Sequence, residues 1–139
     1  MISHPEAAVL AFVLLFVAHF AGDYLFQTDH MAKHKSECSR RGWRANSEHV
    51  AAHVASMFAV LVIARVALDF DTPALPTLAA VAWVAGTHSI IDRRWIIEWW
   101  MTKTGSPEFF AKGGAPLVDQ AAHFVVGIFP AAVLIGALA

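Results

Sequence analysis

Four stretches of this sequence are each long and apolar enough to cross a lipid bilayer, and they leave little chain for anything else. A helix rises about 1.5 Å per residue, so about 20 apolar residues cover the roughly 30 Å of a bilayer's hydrocarbon. The runs near residues 8–27, 47–68, 76–97 and 116–138 meet that requirement. Pro5 precedes the first run. Asp71, Thr72, Pro73 and Pro76 break the chain before the third, and Gly113, Gly114 and Pro116 open the fourth. The chain is 58% hydrophobic and 15% charged over 139 residues, whereas soluble domains carry about 45–50% apolar and 25% charged residues, so a membrane protein is the natural reading. The expectation is an all-α protein: one transmembrane domain over residues 1–139, folded as a four-helix up-down bundle. The first run has no Lys or Arg before it and no small-x-small cleavage signal after it, so it reads as a retained helix rather than a secretory signal. Cys38 is the only cysteine and forms no intrachain disulfide.

The connections suggest an orientation. Nine of the ten Lys and Arg residues lie in or beside the first and third connections: Lys33, Lys35, Arg40, Arg41, Arg44, Arg93, Arg94, Lys103 and Lys112. The second connection carries Asp69 and Asp71, with only Arg65 nearby. The positive-inside rule then puts the first and third connections in the cytoplasm and both termini outside. Trp43, Trp95, Trp99 and Trp100 gather at the same boundary, where amphipathic indole rings tend to sit.

Within these apolar runs a polar spacing recurs. His19 and Asp23 lie in the first, His49 and His53 in the second, His88 and Asp92 in the third, Asp119 and His123 in the fourth. Residues at i and i+4 share one face of a helix. In an up-down bundle the C-terminal halves of helices one and three lie level with the N-terminal halves of helices two and four. The pairs occupy those halves, so all eight side chains are expected in one layer near the cytoplasmic surface. His19 and His88 are 69 residues apart and His49 and Asp119 are 70 apart, which suggests two pseudo-symmetric helical hairpins about an axis along the membrane normal.

Ionisable groups inside a bilayer cost about 2.5–3.5 kcal/mol each and normally face partners within the bundle. A single His and Asp pair reads first as an interhelical hydrogen bond. Four pairs at one depth favour a divalent metal over a metal-free network or proton relay, because Asp23, Asp92 and Asp119 would otherwise repel one another. Five His and three Asp with no Cys suit a borderline first-row ion, Zn2+ first, with Mn, Fe or Ni also compatible. One or two ions fit eight donors; two divalent ions with three carboxylates and one hydroxide would be neutral. Asp23 and Asp119 are the candidate catalytic bases. Gln27, Gln120, Arg93 and Arg94 are candidates for supporting the ligands or contacting substrate. Trp95 and Trp99 continue the His88 and Asp92 stripe and either roof the layer or anchor the interface. His4, His30 and His34 read as loop residues.

The run His-x-x-x-Asp-Tyr-x-x-Gln-Thr at His19 to Thr28, the His-x-x-x-Asp-Arg at His88 to Arg93 and the Asp-Gln-x-x-His at Asp119 to His123 resemble the bacterial and phage membrane proteins grouped as domain of unknown function 3307. The resemblance covers essentially the whole chain and implies a bacterial inner-membrane location and these candidate ligands, but no reaction. More distantly the chain is similar to inner-membrane metal-dependent hydrolases. The expected function is a metal-dependent hydrolase acting on a lipid or phosphoester at the cytoplasmic face. The alternatives are a structural or interaction protein with a metal-clamped bundle, and a metal or proton transporter. Membrane lipid is the expected partner, with a second copy or another membrane protein as further options; nucleic acid is not expected.

Overall fold

The structure, a computed structural model, describes residues 5–138, so His4 lies outside the described residues. All regular structure among them is helical: α1 (Pro5–Phe20), prolonged by a π-helical turn at Ala21–Leu25, then α2 (Asp29–His34), α3 (Arg40–Leu68), α4 (Ala74–Ile91), α5 (Trp95–Lys103), α6 (Pro107–Ala111), α7 (Ala115–Ala122), a second π-helical turn at His123–Ile128, and α8 (Phe129–Leu138). Four rods are long and apolar enough to cross a membrane: Pro5–Leu25, Arg40–Leu68, Ala74–Ile91 and Ala115–Leu138. They form an up-down four-helix bundle in which α1 packs on α3 and α8, and α4 packs on the same two helices.

Small residues allow the rods to approach, as packing between apolar helices in lipid requires. Ala11 and Ala18 of α1, Ala80 of α4 and Ala131 and Ala132 of α8 are buried, with Leu15, Met57, Val81, Val84, Ile128 and Ile135 interleaved between them. At Gly136 a methyl group would overlap Ala8, so a glycine sets the closest approach of α8 to α1. Val9, Val13, Val62, Ile63, Val66, Leu78 and Val125 face outward, giving the rods an apolar exterior as well as an apolar core.

The rods differ from the sequence reading at two ends. The second begins at Arg40 rather than near 47, because Ser39 Oγ accepts a hydrogen bond from Gly42 N at 3.0 Å and starts the helix there. The third ends at Ile91 rather than 97: Arg94 turns the chain at a positive φ of 62°, and α5 sets off as a separate helix. Three short helices, α2, α5 and α6, occupy connections for which no structure was expected.

Pro130 explains the second π turn. It has no N–H to give the Val126 carbonyl four residues earlier, and its ring crowds that carbonyl. A bare carbonyl is costly in hydrocarbon. Trp83 of α4 reaches across and donates Nε1–H to Val126 O at 2.9 Å. Trp83→Phe is therefore expected to lower the unfolding free energy in detergent by about 1 kcal/mol, the scale of interhelical hydrogen bonds in membrane proteins. An unchanged denaturation midpoint would mean that another group serves this carbonyl.

Candidate metal centre

The rods bring their polar side chains together at one end of the bundle. His19, Asp23, His49, His53, His88, Asp92 and His123 are all buried. Asp23 sits in the π turn that follows α1, and His123 opens the one that precedes α8. Widened turns of this kind recur at functional sites because they re-aim a side chain without ending the helix.

Asp23 is the hub. Its Oδ1 lies 3.2 Å from His49 Nε2, 3.1 Å from His53 Nε2 and 3.9 Å from His88 Nε2. Its Oδ2 lies 3.2 Å from His19 Nε2 and accepts a hydrogen bond from Gln120 Nε2 at 2.9 Å. His88 Nε2 is 3.1 Å from His49 Nε2 and 3.1 Å from Asp92 Oδ2. Two donor groups emerge, Asp23 with His49, His53 and His88, and His88 with Asp92 and His123, each with ligand atoms mutually within 4.8 Å. Ligands 2.0–2.1 Å from a tetrahedral zinc stand about 3.3 Å from one another. Three of the first group's contacts with Asp23 and the His49–His88 contact, at 3.1 to 3.9 Å, bracket that value, and all four donors lie within 4.8 Å of one another, so these residues fit a divalent ion. Among the described residues, buried His123 Nε2 has no hydrogen-bond partner, its nearest carboxylate oxygen being Asp92 Oδ1 at 3.8 Å, as an unengaged ligand atom would.

Metal-binding imidazoles usually donate their second nitrogen to an orienting partner. Here Nδ1 of His19, His49 and His88 has none among the described residues. The rings hold one another instead: His53 and His88 lie 3.8 Å apart between centroids, His88 and His123 4.2 Å, and His49 and His53 4.6 Å. Behind His53 lies Gly22, where a methyl group would overlap the imidazole ring itself. Gly22 is thus a seat for His53 that spacing analysis missed; its place beside Asp23 in a helix, where glycine is costly, was the available signal.

Asp119 departs from the ligand role read from sequence, and Arg93 from contact with substrate. Asp119 joins neither donor group. Its Oδ2 is 3.6 Å from His123 Nδ1, which points instead to the Asp119 backbone carbonyl at 2.9 Å. Gln120, its neighbour, takes the inward position. Gln27 Nε2 donates to the Asp23 carbonyl at 3.1 Å and so secures the π turn rather than the carboxylate. Arg93 is buried and turned to the backbone: its guanidinium donates to Lys35 O at 2.8 Å and Glu37 O at 2.6 Å and stacks 4.1 Å from the Trp43 ring. Trp95 and Trp99 are exposed on α5, away from any roof, because the turn at Arg94 breaks the stripe that linked them to His88.

Lys35 is the largest surprise. It was counted among the basic residues of a connection, yet its ammonium is buried 3.0 Å from His49 Nε2 and 3.0 Å from Asp92 Oδ1. Arg93 pulls its backbone inward, and the loop is tied from outside as well. The His34 hydrogen bond to Glu37 at 2.7 Å, helped by Ser39 and Arg41 against a smaller desolvation, holds the Glu37 carboxyl at about 2. A depressed carboxylate adds stability above its ordinary value of 4.5 and loses it as pH falls through about 2, so this tie holds at neutral pH. Asn46, one turn before His49 on the same face, was also overlooked; it accepts from Ser89 Oγ at 2.6 Å and locks α3 to α4 beside the centre.

A cavity of about 460 Å³ opens on the centre. Asp23, Lys35 and Gln120 reach it from inside, Arg94 and Asp119 line its walls, and Tyr24, Ile97 and Phe110 supply an apolar side.

The sequence model of a family described as "Protein of unknown function (DUF3307)" matches residues 11–137. No curated protein and no solved structure matches the chain.

Gly22→Ala should displace the His53 ring and weaken divalent-metal binding about 10- to 100-fold, the usual effect of disturbing a ligand's support. Competition titration against a chromophoric chelator measures it, and unaltered affinity would count against His53 as a ligand. Lys35→Met strips the cation from Asp92 and is expected to cost about 3–5 kcal/mol in chelator-treated protein. Thermal unfolding with and without added Zn2+ reads this loss, which the metal should partly restore.

Proposed function

The chain belongs to the DUF3307 family, and we propose that it is a multi-pass protein of the bacterial inner membrane that uses a divalent cation, zinc first, to hydrolyse a lipid or lipid-linked phosphoester at the cytoplasmic leaflet. The observation that carries this reading is the junction of a buried His and Asp donor group with a cavity that offers Arg94, Lys35 and an apolar wall. A purely structural clamp has no need of such access. The basic residues of the first and third connections lie at this same end, which supports a cytoplasmic centre with both termini outside.

One ion suits the side chains better than two. His88 faces both donor groups through Nε2, and one lone pair serves one ion. Asp92 already has the Lys35 ammonium beside it. Asp23, Asp92, Lys35, one divalent ion and one hydroxide sum to neutrality, the cheapest total in a low dielectric. Asp23, His49, His53 and His88 would hold the ion, three of them at a time so that a position is left for water. A bound divalent cation contributes Lewis acidity and brings the pKa of water toward about 7.

The chain's own residues supply the rest. Arg94 is exposed on the cavity wall, where its planar guanidinium suits a phosphate. Gln120 holds Asp23 through Oδ2 and so fixes the hub of the donor group. Asp23 is fully engaged by its partners, which leaves Asp119, on the cavity wall and outside both donor groups, as the residue to accept a proton from water.

Lys35 also favours a second reading. By neutralising Asp92 and facing the His49 lone pair it can hold a metal-free polar core, in which case the protein is a structural or interaction module. A transporter is less favoured, since Leu15, Met57, Val81, Val84 and Ile135 fill the bundle beyond the centre with apolar side chains.

Elemental analysis of purified protein is expected to find stoichiometric metal that Asp23→Ala and His53→Ala abolish. Asp119→Asn should keep the metal and lower turnover about 10²- to 10⁴-fold, the range of general-base contributions. Fully loaded wild-type protein that releases nothing from a panel of phospholipids and phosphoesters would overturn the hydrolase reading.

A further inference from the structure

A second concavity lies on the other side of α5. It encloses about 500 Å³ and is walled by Ile90 and Ile91 of α4, Ile96 and Trp100 of α5, and Ala121 and Val125 of the fourth rod. Its one hydroxyl, Thr87 Oγ1, already donates to the Trp83 carbonyl at 2.8 Å, so nothing in it calls for a polar ligand. The groove exists because α4 stops at Ile91 and α5 sets off as a separate helix, packed on the rods through Ile97 and Met101, while Ala121 and Ala122 leave space beside it. It runs from the level of α5 alongside the C-terminal part of α4, into the depth of a candidate span.

Ile97 belongs to both concavities. On one side of it lies the polar cavity with Arg94, and on the other a groove whose lining is apolar apart from Thr87 and the Trp100 indole N–H. We infer that the two form one site for a phospholipid, with the phosphate of the head group in the cavity and one acyl chain rounding the buried Ile97 into the groove. Extending the hydrolase reading, this takes from it that the cavity receives a phosphoester, and adds that the substrate is a membrane lipid held by its chain. Cavity and groove are each of a size that buries small ligands. Their contrast in polarity, across a single side chain, matches the boundary between a head group and its acyl chain. Arg94, exposed on the cavity wall, provides the charge complement to phosphate.

The test is photolabelling of full-length protein in nanodiscs, with diazirines in the acyl chains of either phosphatidylglycerol or diacylglycerol, followed by peptide mapping. The inference expects labels concentrated at residues 87–100 and 118–126, with phosphatidylglycerol labelling them about tenfold more than the phosphate-free lipid, the ratio expected of one charge-assisted contact. Ala121→Trp fills the groove and should remove that excess. Val125→Trp does so one turn further on, should Ala121→Trp fail to fold. Equal labelling by the two lipids, or labels spread evenly around the bundle, would overturn the inference. Labelling requires no turnover, so strong groove labels from a protein that hydrolyses nothing would support the lipid site while removing the hydrolase reading.

Discussion

Two carboxylates taken out of water, Asp23 and Asp92, set the terms for the rest of this protein. A buried carboxylate is tolerable only with compensating charge and hydrogen bonds close by. Asp23 gathers His19, His49, His53 and Gln120 around it, and Asp92 gathers His49, His88 and Lys35. Each of the four rods contributes to this arrangement, so the bundle's register at that end is dictated by electrostatics. Apolar packing of one smooth rod against another would constrain it far less.

Helical irregularities give the centre its shape. Asp23 and His123 lie in π turns, and in the fourth rod the cause is covalent: Pro130 withholds an N–H from Val126 and Trp83 replaces it. Gly22 allows a histidine ring to lie against the first rod's backbone. The two halves share a motif but not a geometry. Asp119 occupies the position that corresponds to His49 and stays outside the donor groups, while Gln120 beside it points in. Lys35 adds to the asymmetry by filling the space between His49 and Asp92 from a connection.

The turn at Asp92 to Arg94 does several things at once. It ends α4 with Asp92 inside the centre, and it sends Arg93 beneath the Lys35–Glu37 segment, whose carbonyls it holds. It also releases α5 at an angle, which opens a polar cavity on one side of Ile97 and an apolar groove on the other. A helix continuing straight to residue 97 would have produced neither.

Much of this was legible in the residues. Four apolar runs sufficient to span a bilayer leave helices as the economical form, and the spacing from His19 to Asp23 and from His88 to Asp92 survives as contacts of 3.2 and 3.1 Å because one helical turn sets it. Lys35 was not legible, since a basic residue in a connection reads the same whether it faces water or folds inward; Arg93 and its carbonyl partners decide that. Nor was the exclusion of Asp119, because i and i+4 spacing fixes which side chains share a face but not how the face is turned. Local periodicity therefore determined the rods and the pairs upon them. Their rotation, the π turns and the cation among the carboxylates were decided by contacts between segments distant in the chain, which no local pattern encodes.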